Sequence, residues 1–230
     1  MGKLLIGVIP ASGLATRFRG IPKFLLPAPG QGVSLVEFHV AEMLSVCERV
    51  IVGIRPEHSK HLDFRYERRV EVHALVTETM TETVLKLCAQ SESNDFILTM
   101  PDTFFIGEKP AKKLWSMNDC DFGLAIWEFD DSYRGRIGQV NIDESGNVID
   151  AIDKSLDCPY PWLWGAMRFN RKVLSLMDPV TPHVGFAVNP ALQAGLTVRA
   201  KQITGKYFDC GSFSNYDMAY KAFVLSDEGR

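Results

Sequence analysis

The sequence has little that would brace it covalently or through a structural metal. Five cysteines, Cys47, Cys88, Cys120, Cys158 and Cys210, are scattered singly over 230 residues, and no Cys-x-x-Cys occurs. An odd, dispersed set reads as buried thiols in a reducing cytoplasm, not as disulfides or zinc ligands. The five histidines form no His-Glu-x-x-His, which excludes the usual zinc hydrolase. No Gly-x-Ser-x-Gly nucleophile elbow is present. No apolar run approaches the roughly 20 residues of a membrane span. The apolar stretch after Lys3 is short for a secretory core, and Ile at position 6 breaks the myristoylation pattern. Basic residues are not in excess: 25 Lys and Arg face 28 Asp and Glu, a net charge of -3. That excludes a general nucleic-acid binder but leaves room for a local basic site. Internal repeats, low-complexity tracts and long linkers are also absent.

What is present is a chain 46% hydrophobic and 23% charged, enough for a packed core at single-domain size. Lys3 to Ile9 reads as a strand buried on both faces, as does Arg49 to Ile54. Val70 to Val76 alternates like a third strand, and Asp95 to Met100 and Phe122 to Trp127 supply two more. Between them, helical spacing covers Leu35 to Ser45 and Thr81 to Ala89, the latter with Val84, Leu85 and Cys88 on one side. Pro110 opens another helix. Strand–helix alternation predicts an α/β fold with a mostly parallel sheet. After residue 130 the pattern changes. Ile137 to Ile142 and Val148 to Ile152 flank Asp143 to Asn147 as a hairpin. Trp162 to Phe169 and Thr197 to Ile203 are strands, Arg171 to Met177 and Asn189 to Ala194 short helices. Ser212 caps a last helix to Leu225. The expectation is one domain over residues 1–230, divided near residue 130, with 131–230 as an insertion-like part that completes a site formed by 1–130.

Four segments could carry chemistry. Pro10 to Pro27 joins a buried strand to a loop of small residues, with Arg17 and Lys23 beyond it. Small residues let a phosphate approach backbone N–H groups, and the two cations suit a polyphosphate. Neither the P-loop nor the dinucleotide fingerprint is met. An ordinary strand-to-helix turn with surface cations fits the same spacing. Asp102 follows an apolar strand, where open α/β sheets place ligands, and can hold Mg²⁺ against phosphates or simply cap a turn. Asp209 sits between Phe208 and Cys210 before Gly211, and turn residue is again the plainer role. Asp153-Lys154 followed by Trp164-Gly165 could meet an anionic substrate, or be a surface ion pair before a loop.

In this order the four segments resemble the sugar-1-phosphate nucleotidyltransferases. Ala11-Ser12-Gly13-Leu14-Ala15-Thr16-Arg17 is similar to that family's Ala-Gly-x-Gly-Thr-Arg, and Pro22-Lys23-Phe24-Leu25-Leu26-Pro27 to its Pro-Lys-x-Leu-Leu-Pro. Met100-Pro101-Asp102 stands for the strand ending in Gly-Asp, and Ile137-Gly138-Gln139-Val140 for Tyr-Gly-x-Val. Asp153-Lys154-Ser155 stands for Glu-Lys-Pro, and Tyr207 to Ser212 for the closing Trp-x-Asp-x-Gly-Thr. The resemblance covers Lys3 to about Tyr220. It implies a Rossmann-like, three-layer nucleotide-diphospho-sugar transferase fold with an inserted β-hairpin. It implies an NTP and a phosphorylated small molecule as substrates, with Mg²⁺ as cofactor. Ala11 to Thr16 would cradle the nucleotide, with Thr81 near the base. Arg17 would meet the β- and γ-phosphates, Lys23 the α-phosphate, and Asp102 and Asp209 the metal. Asp153 and Lys154 would bind the acceptor, with Gly138 and Gly165 lining its pocket. The sequence departs at Ala15, where the family has glycine, and in the short gap from Arg17 to Pro22. That gap also occurs in cytidylyltransferases for alcohol phosphates, so a non-sugar acceptor stays open, as do a non-catalytic nucleotide-binding regulator and a homo-oligomer.

Overall fold

A computed structural model describes residues 4–13, 21–64, 67–226 and 229. Its centre is β1 (Leu5–Ala11), seven residues without an exposed side chain. A strand buried on both faces needs cover on both, and alternation supplies it. Leu5, Ile9 and Ala11 join one core cluster, while Ile6 and Val8 join the other. Helix α1 (Leu35–Leu44) packs on the first side. It begins with a capping box, in which Ser34 and Glu37 satisfy each other's backbone N–H groups. Helix α2 (Met80–Cys88) covers the second side. It buries Thr83, Val84, Leu87 and Cys88; Leu85, expected on this face, is only half-buried. Thr79 is its N-cap, accepting from the Glu82 N–H.

Strands β2 (Arg49–Ile54), β3 (Val70–Ala74) and β4 (Asp95–Thr99) run parallel to β1 in the order β4-β1-β2-β3. Strand β3 is the sheet's edge and keeps no fully buried residue, so the alternation read there marks a half-covered edge. Helix α3 (Pro110–Trp115) opens on Pro110 as expected and precedes β6 (Phe122–Glu128).

The second half of the chain enters the middle of this sheet. Strand β9 (Trp162–Asn170) lies between β4 and β6 and is antiparallel to both. Beyond β6, β10 (Val198–Gln202) is parallel to it. The hairpin of β7 (Gly138–Ile142) and β8 (Val148–Asp153) attaches to the end of β9 through Gln139↔Leu163. The sheet has nine strands and stays mostly parallel, as expected. Helices α4 (Arg171–Leu174), α5 (Val188–Gln193) and α6 (Phe213–Val224) complete the layers, and Ser212 caps α6 by accepting from the Asn215 N–H.

A second, two-stranded sheet was not expected. Strand β5 (Thr103–Gly107) pairs antiparallel with β11 (Gly205–Asp209), so the stretch read as a turn around Asp209 is the end of a strand. Its register sets Asp209 opposite Thr103, and the Cys210 N–H donates to the Asp102 carbonyl at 2.9 Å. Two carboxylates 107 positions apart in sequence are thereby fixed side by side. All five cysteines are free, and all but Cys120 are buried.

Candidate active site

The carboxyl ends of β1, β2, β3 and β4 share one edge because the strands are parallel. A cleft of about 380 Å³ opens there. Ala11, Ser12 and Gly13 form one wall, Arg55 follows β2, Val76 to Met80 follow β3, and Asp102 follows β4. This is where open α/β sheets bind ligands, and the N-terminus of α2 faces it. Among the described residues nothing lies within 4 Å of a Cβ built on Gly13, which lines the cleft.

A hydroxyl triangle lies on the cleft floor. Ser12 Oγ is 2.7 Å from Thr83 Oγ1 and 3.0 Å from Thr77 Oγ1, which are themselves 2.7 Å apart. Thr83 Oγ1 also donates to the Thr79 carbonyl. These threonines correct the assignment of Thr81. It is buried on α2 and, unlike Thr77 and Thr83, is not among the residues lining the cleft.

A second cleft of about 470 Å³ adjoins the first and shares Lys23, Met80, Met100 and Asp102 with it. The shared edge brings together two residues singled out separately in the sequence: Lys23 Nζ donates to Asp102 Oδ2 at 2.9 Å. Lys23 is aimed by its neighbours. Pro22 is extended, Lys23–Leu25 is a single 3-10 turn, and Phe24 is buried in the core as the anchor. Asp102 is aimed by a buried histidine. His39 Nε2 lies 2.8 Å from the Thr103 carbonyl and Nδ1 lies 3.3 Å from Thr99 Oγ1. A carbonyl cannot donate, so Nε2 carries the proton and Nδ1 accepts from the threonine. Burial pushes the His39 pKa down to about 4, which keeps the ring neutral.

In the second cleft Asp209 Oδ1 accepts from the Gly211 N–H at 2.9 Å, and Oδ2 accepts from Arg136 at 3.2 Å. Burial, and then the charge of Asp102, push the Asp209 carboxyl above its ordinary range. Opposite stand Gly138, Asp153 and Lys154 at the open end of the β7–β8 hairpin, whose register pairs Gly138 with Asp153. Asp153 Oδ2 is buried without a hydrogen-bond partner among the described residues, and burial raises its pKa against the pull of Lys154. Lys154 has φ 54°, a left-handed conformation rare outside glycine, and its ammonium reaches His183 Nε2 at 2.5 Å. Burial and Lys154 push His183 down to about 4, so it accepts as a neutral ring. Gly138 is required here: a Cβ would come within 2.1 Å of Trp164 Nε1 and 2.8 Å of Asp153 Oδ1.

Gly165 stands apart. It is buried in β9, and a Cβ there would strike the Tyr207 ring at 2.3 Å. Its small size admits an aromatic side chain, not a ligand, which corrects its assignment to the pocket lining. Leu14, Ala15, Thr16 and Arg17 lie outside the described residues. The sequence reading missed Arg55, Thr77, Arg136 and His183. Arg55 had a signal, since it directly follows a strand on the ligand-bearing edge.

Two converging carboxylates suit Mg²⁺, which often takes one or two protein carboxylates and completes its shell with water and phosphate oxygens. No group of three or more His, Cys, Asp or Glu able to hold a metal occurs among the described residues. No helix among them is long and apolar enough to cross a membrane.

The chain is similar in fold to several solved structures. A protein described as a glucose-1-phosphate thymidylyltransferase from Bacillus anthracis, in complex with a sucrose, superposes with TM-score 0.81 at 17% identity, covering 98% of each chain. UTP-bound UDP-glucose pyrophosphorylase from Acinetobacter baumannii gives 0.75 at 17% identity, covering 98% of this chain and 96% of that one. The inositol-1-phosphate CTP transferase from T. maritima gives 0.74 at 19% identity, covering 98% of both. A comparison with curated proteins finds no match. The MobA-like NTP transferase domain matches residues 7–174, nearly three-quarters of the chain, and spans both the Lys23–Asp102 pair and the Asp153–Lys154 strand end. The chain therefore belongs to the MobA-like NTP transferase family and is a nucleotidyltransferase.

Proposed function

We propose that this nucleotidyltransferase moves a nucleoside monophosphate from an NTP to a sugar 1-phosphate, releasing pyrophosphate and an NDP-sugar. The observation that carries the reading is the Lys23–Asp102 pair on the seam of two clefts, one at the strand ends and one under the hairpin. A triphosphate in the first cleft and a phosphate monoester in the second would meet at that seam. The second pKa of a phosphate monoester is near 6, so the acceptor is ionised at pH 7 and needs no general base. Its oxygen forms a bond to the α-phosphorus while the bond to the pyrophosphate oxygen breaks in line. The obstacle is anion–anion repulsion, and catalysis is then positioning and charge neutralisation.

The roles of the described residues follow from their places, and that of Arg17 from the family resemblance. The backbone at Gly13 and the α2 N-terminus receive the triphosphate, and Arg17 is assigned to its leaving end. Lys23 follows the α-phosphate as charge builds there. Asp102 and Asp209 would hold Mg²⁺, which when bound draws charge from the phosphate oxygens. Lys154, steadied by neutral His183, clamps the acceptor phosphate, and the unpartnered Asp153 Oδ2 accepts from an acceptor hydroxyl. A second reading, an alcohol phosphate such as an inositol phosphate, is favoured by the short Arg17–Pro22 gap and by the likeness to the inositol-1-phosphate enzyme. The test is pyrophosphate release with each NTP, Mg²⁺ and a panel of sugar 1-phosphates and alcohol phosphates. Release with a sugar 1-phosphate supports the first reading. Release with alcohol phosphates alone selects the second, and none across the panel refutes both.

A further inference from the structure

The second cleft carries three cations, Lys23, Arg136 and Lys154, and three carboxylates, Asp102, Asp153 and Asp209. Two of the cations pair with carboxylates inside the cleft: Lys23 lies on Asp102 and Arg136 on Asp209. Both carboxylates that would receive a divalent cation are thus already countered by side chains that would be needed on phosphate. One set of groups cannot serve both partners at once. Arg136 is placed for an exchange. Its backbone is fixed, with its N–H on the Tyr133 carbonyl at 2.9 Å and left-handed Gly135 before it, so only the side chain is free to turn. That side chain keeps about a third of its surface exposed to the cleft, and its guanidinium matches a phosphate's paired oxygens better than an ammonium would.

We propose that Arg136 is a phosphate-binding residue held in reserve on Asp209: a divalent cation at Asp102 and Asp209 displaces it, and it turns onto the acceptor's phosphate. The inference rests on the metal-dependent transferase reading above. It couples the two ligands, because filling the carboxylates releases the group that binds the second anion.

The experiment uses Mn²⁺ alone, and then inorganic phosphate in the presence of Mn²⁺, as probes on the full chain, followed by electron paramagnetic resonance and calorimetry. Arg136→Met removes a competitor for Asp209. It should bind Mn²⁺ about threefold more tightly, the scale of a partly exposed ion pair. With Mn²⁺ present it should bind phosphate about tenfold more weakly than the parent, as expected for loss of a charge-assisted fork. Arg136→Gln should give the same two shifts and stands in if the first variant fails to fold. Mn²⁺ binding that Asp209→Asn weakens but Arg136→Met leaves unchanged or weakens overturns the exchange alone. Phosphate binding in Mn²⁺ that is indifferent to Arg136 does the same. Mn²⁺ binding to none of the proteins overturns the metal reading and the exchange with it.

Discussion

His39 and Glu42 sit three residues apart on α1 with ionisation equilibria displaced in opposite directions, and the pair yields a quantitative test of how the Asp102 turn is supported. Burial lowers His39 from 6.5 to about 4, and burial raises Glu42 from 4.5 to about 7. Glu42 Oε1 accepts from the Ala111 N–H at 2.6 Å, so the helix tied to the site is also tied to α3. Folded His39 refuses a proton that the unfolded chain accepts below pH 6.5. Its stability contribution is complete above 6.5 and is lost as pH falls toward 4. Folded Glu42 keeps a proton that the unfolded chain releases above pH 4.5. Its contribution is complete below 4.5 and is lost as pH rises toward 7. Each displacement is worth about 3 kcal/mol, at about 1.4 kcal/mol per pH unit. Between pH 4.5 and 6.5 the two slopes nearly cancel. Glu42→Gln keeps an acceptor for Ala111 and removes the falling slope. Relative to the parent its unfolding free energy should gain about 2 kcal/mol between pH 4.5 and 6.5, the part of the displacement that falls in that range. His39→Gln should lose about 2 kcal/mol over the same range, whatever its constant offset. Urea unfolding of the three proteins at half-unit pH intervals measures both, and differencing against the parent cancels the other titrating groups. Curves that run parallel to the parent would refute the burial of either charge and, for His39, the neutral ring under the Thr103 carbonyl.

Two further outcomes follow from the site. Lys23→Met should lower kcat for pyrophosphate release by about 10²- to 10³-fold, the scale of one lost charge-stabilising donor, while the melting temperature moves little. Equal turnover would remove Lys23 from the reaction. Gly138→Ala should raise the KM for the acceptor with little change in the KM for the nucleotide, because its methyl group would displace Trp164 and Asp153 in the second cleft only. A rise in the nucleotide KM alone would assign that cleft to the wrong substrate.

The parallel half of the sheet was legible because its signals are local. A strand covered on both faces is a continuous apolar run, and β1, β2, β4 and β6 are such runs. Helix starts are written in single side chains, Ser34 with Glu37 and Ser212 at α6. The β5–β11 sheet was not legible. Its strands are five residues each, about a hundred positions apart, and only pairing across that distance makes either a strand. The direction of β9 was hidden for the same reason: apolar content says that Trp162 to Asn170 is buried, while its neighbours β4 and β6 decide which way it runs. Gly165 and Thr81 failed for a related cause. A glycine in a strand has several uses, and the facing Tyr207 ring that settles this one is 42 positions away.

Net charge illustrates the difference between a total and an arrangement. The value of -3 argues against a surface for long polyanions, and says nothing of where the cations are. In the fold, Lys23, Arg136 and Lys154 are gathered within one cleft from three separate segments, opposite Asp102, Asp153 and Asp209. A site balanced in this way does not attract a phosphate strongly by itself, since each cation is already near a carboxylate. Under the proposed function it would become selective when a divalent cation and the acceptor phosphate enter together, because the added charges would then re-pair without leaving a buried ion alone. The acidic balance of the chain and the proposed binding of phosphates are therefore compatible: within the cleft three carboxylates offset three cations, so the excess of negative charge lies elsewhere on the chain.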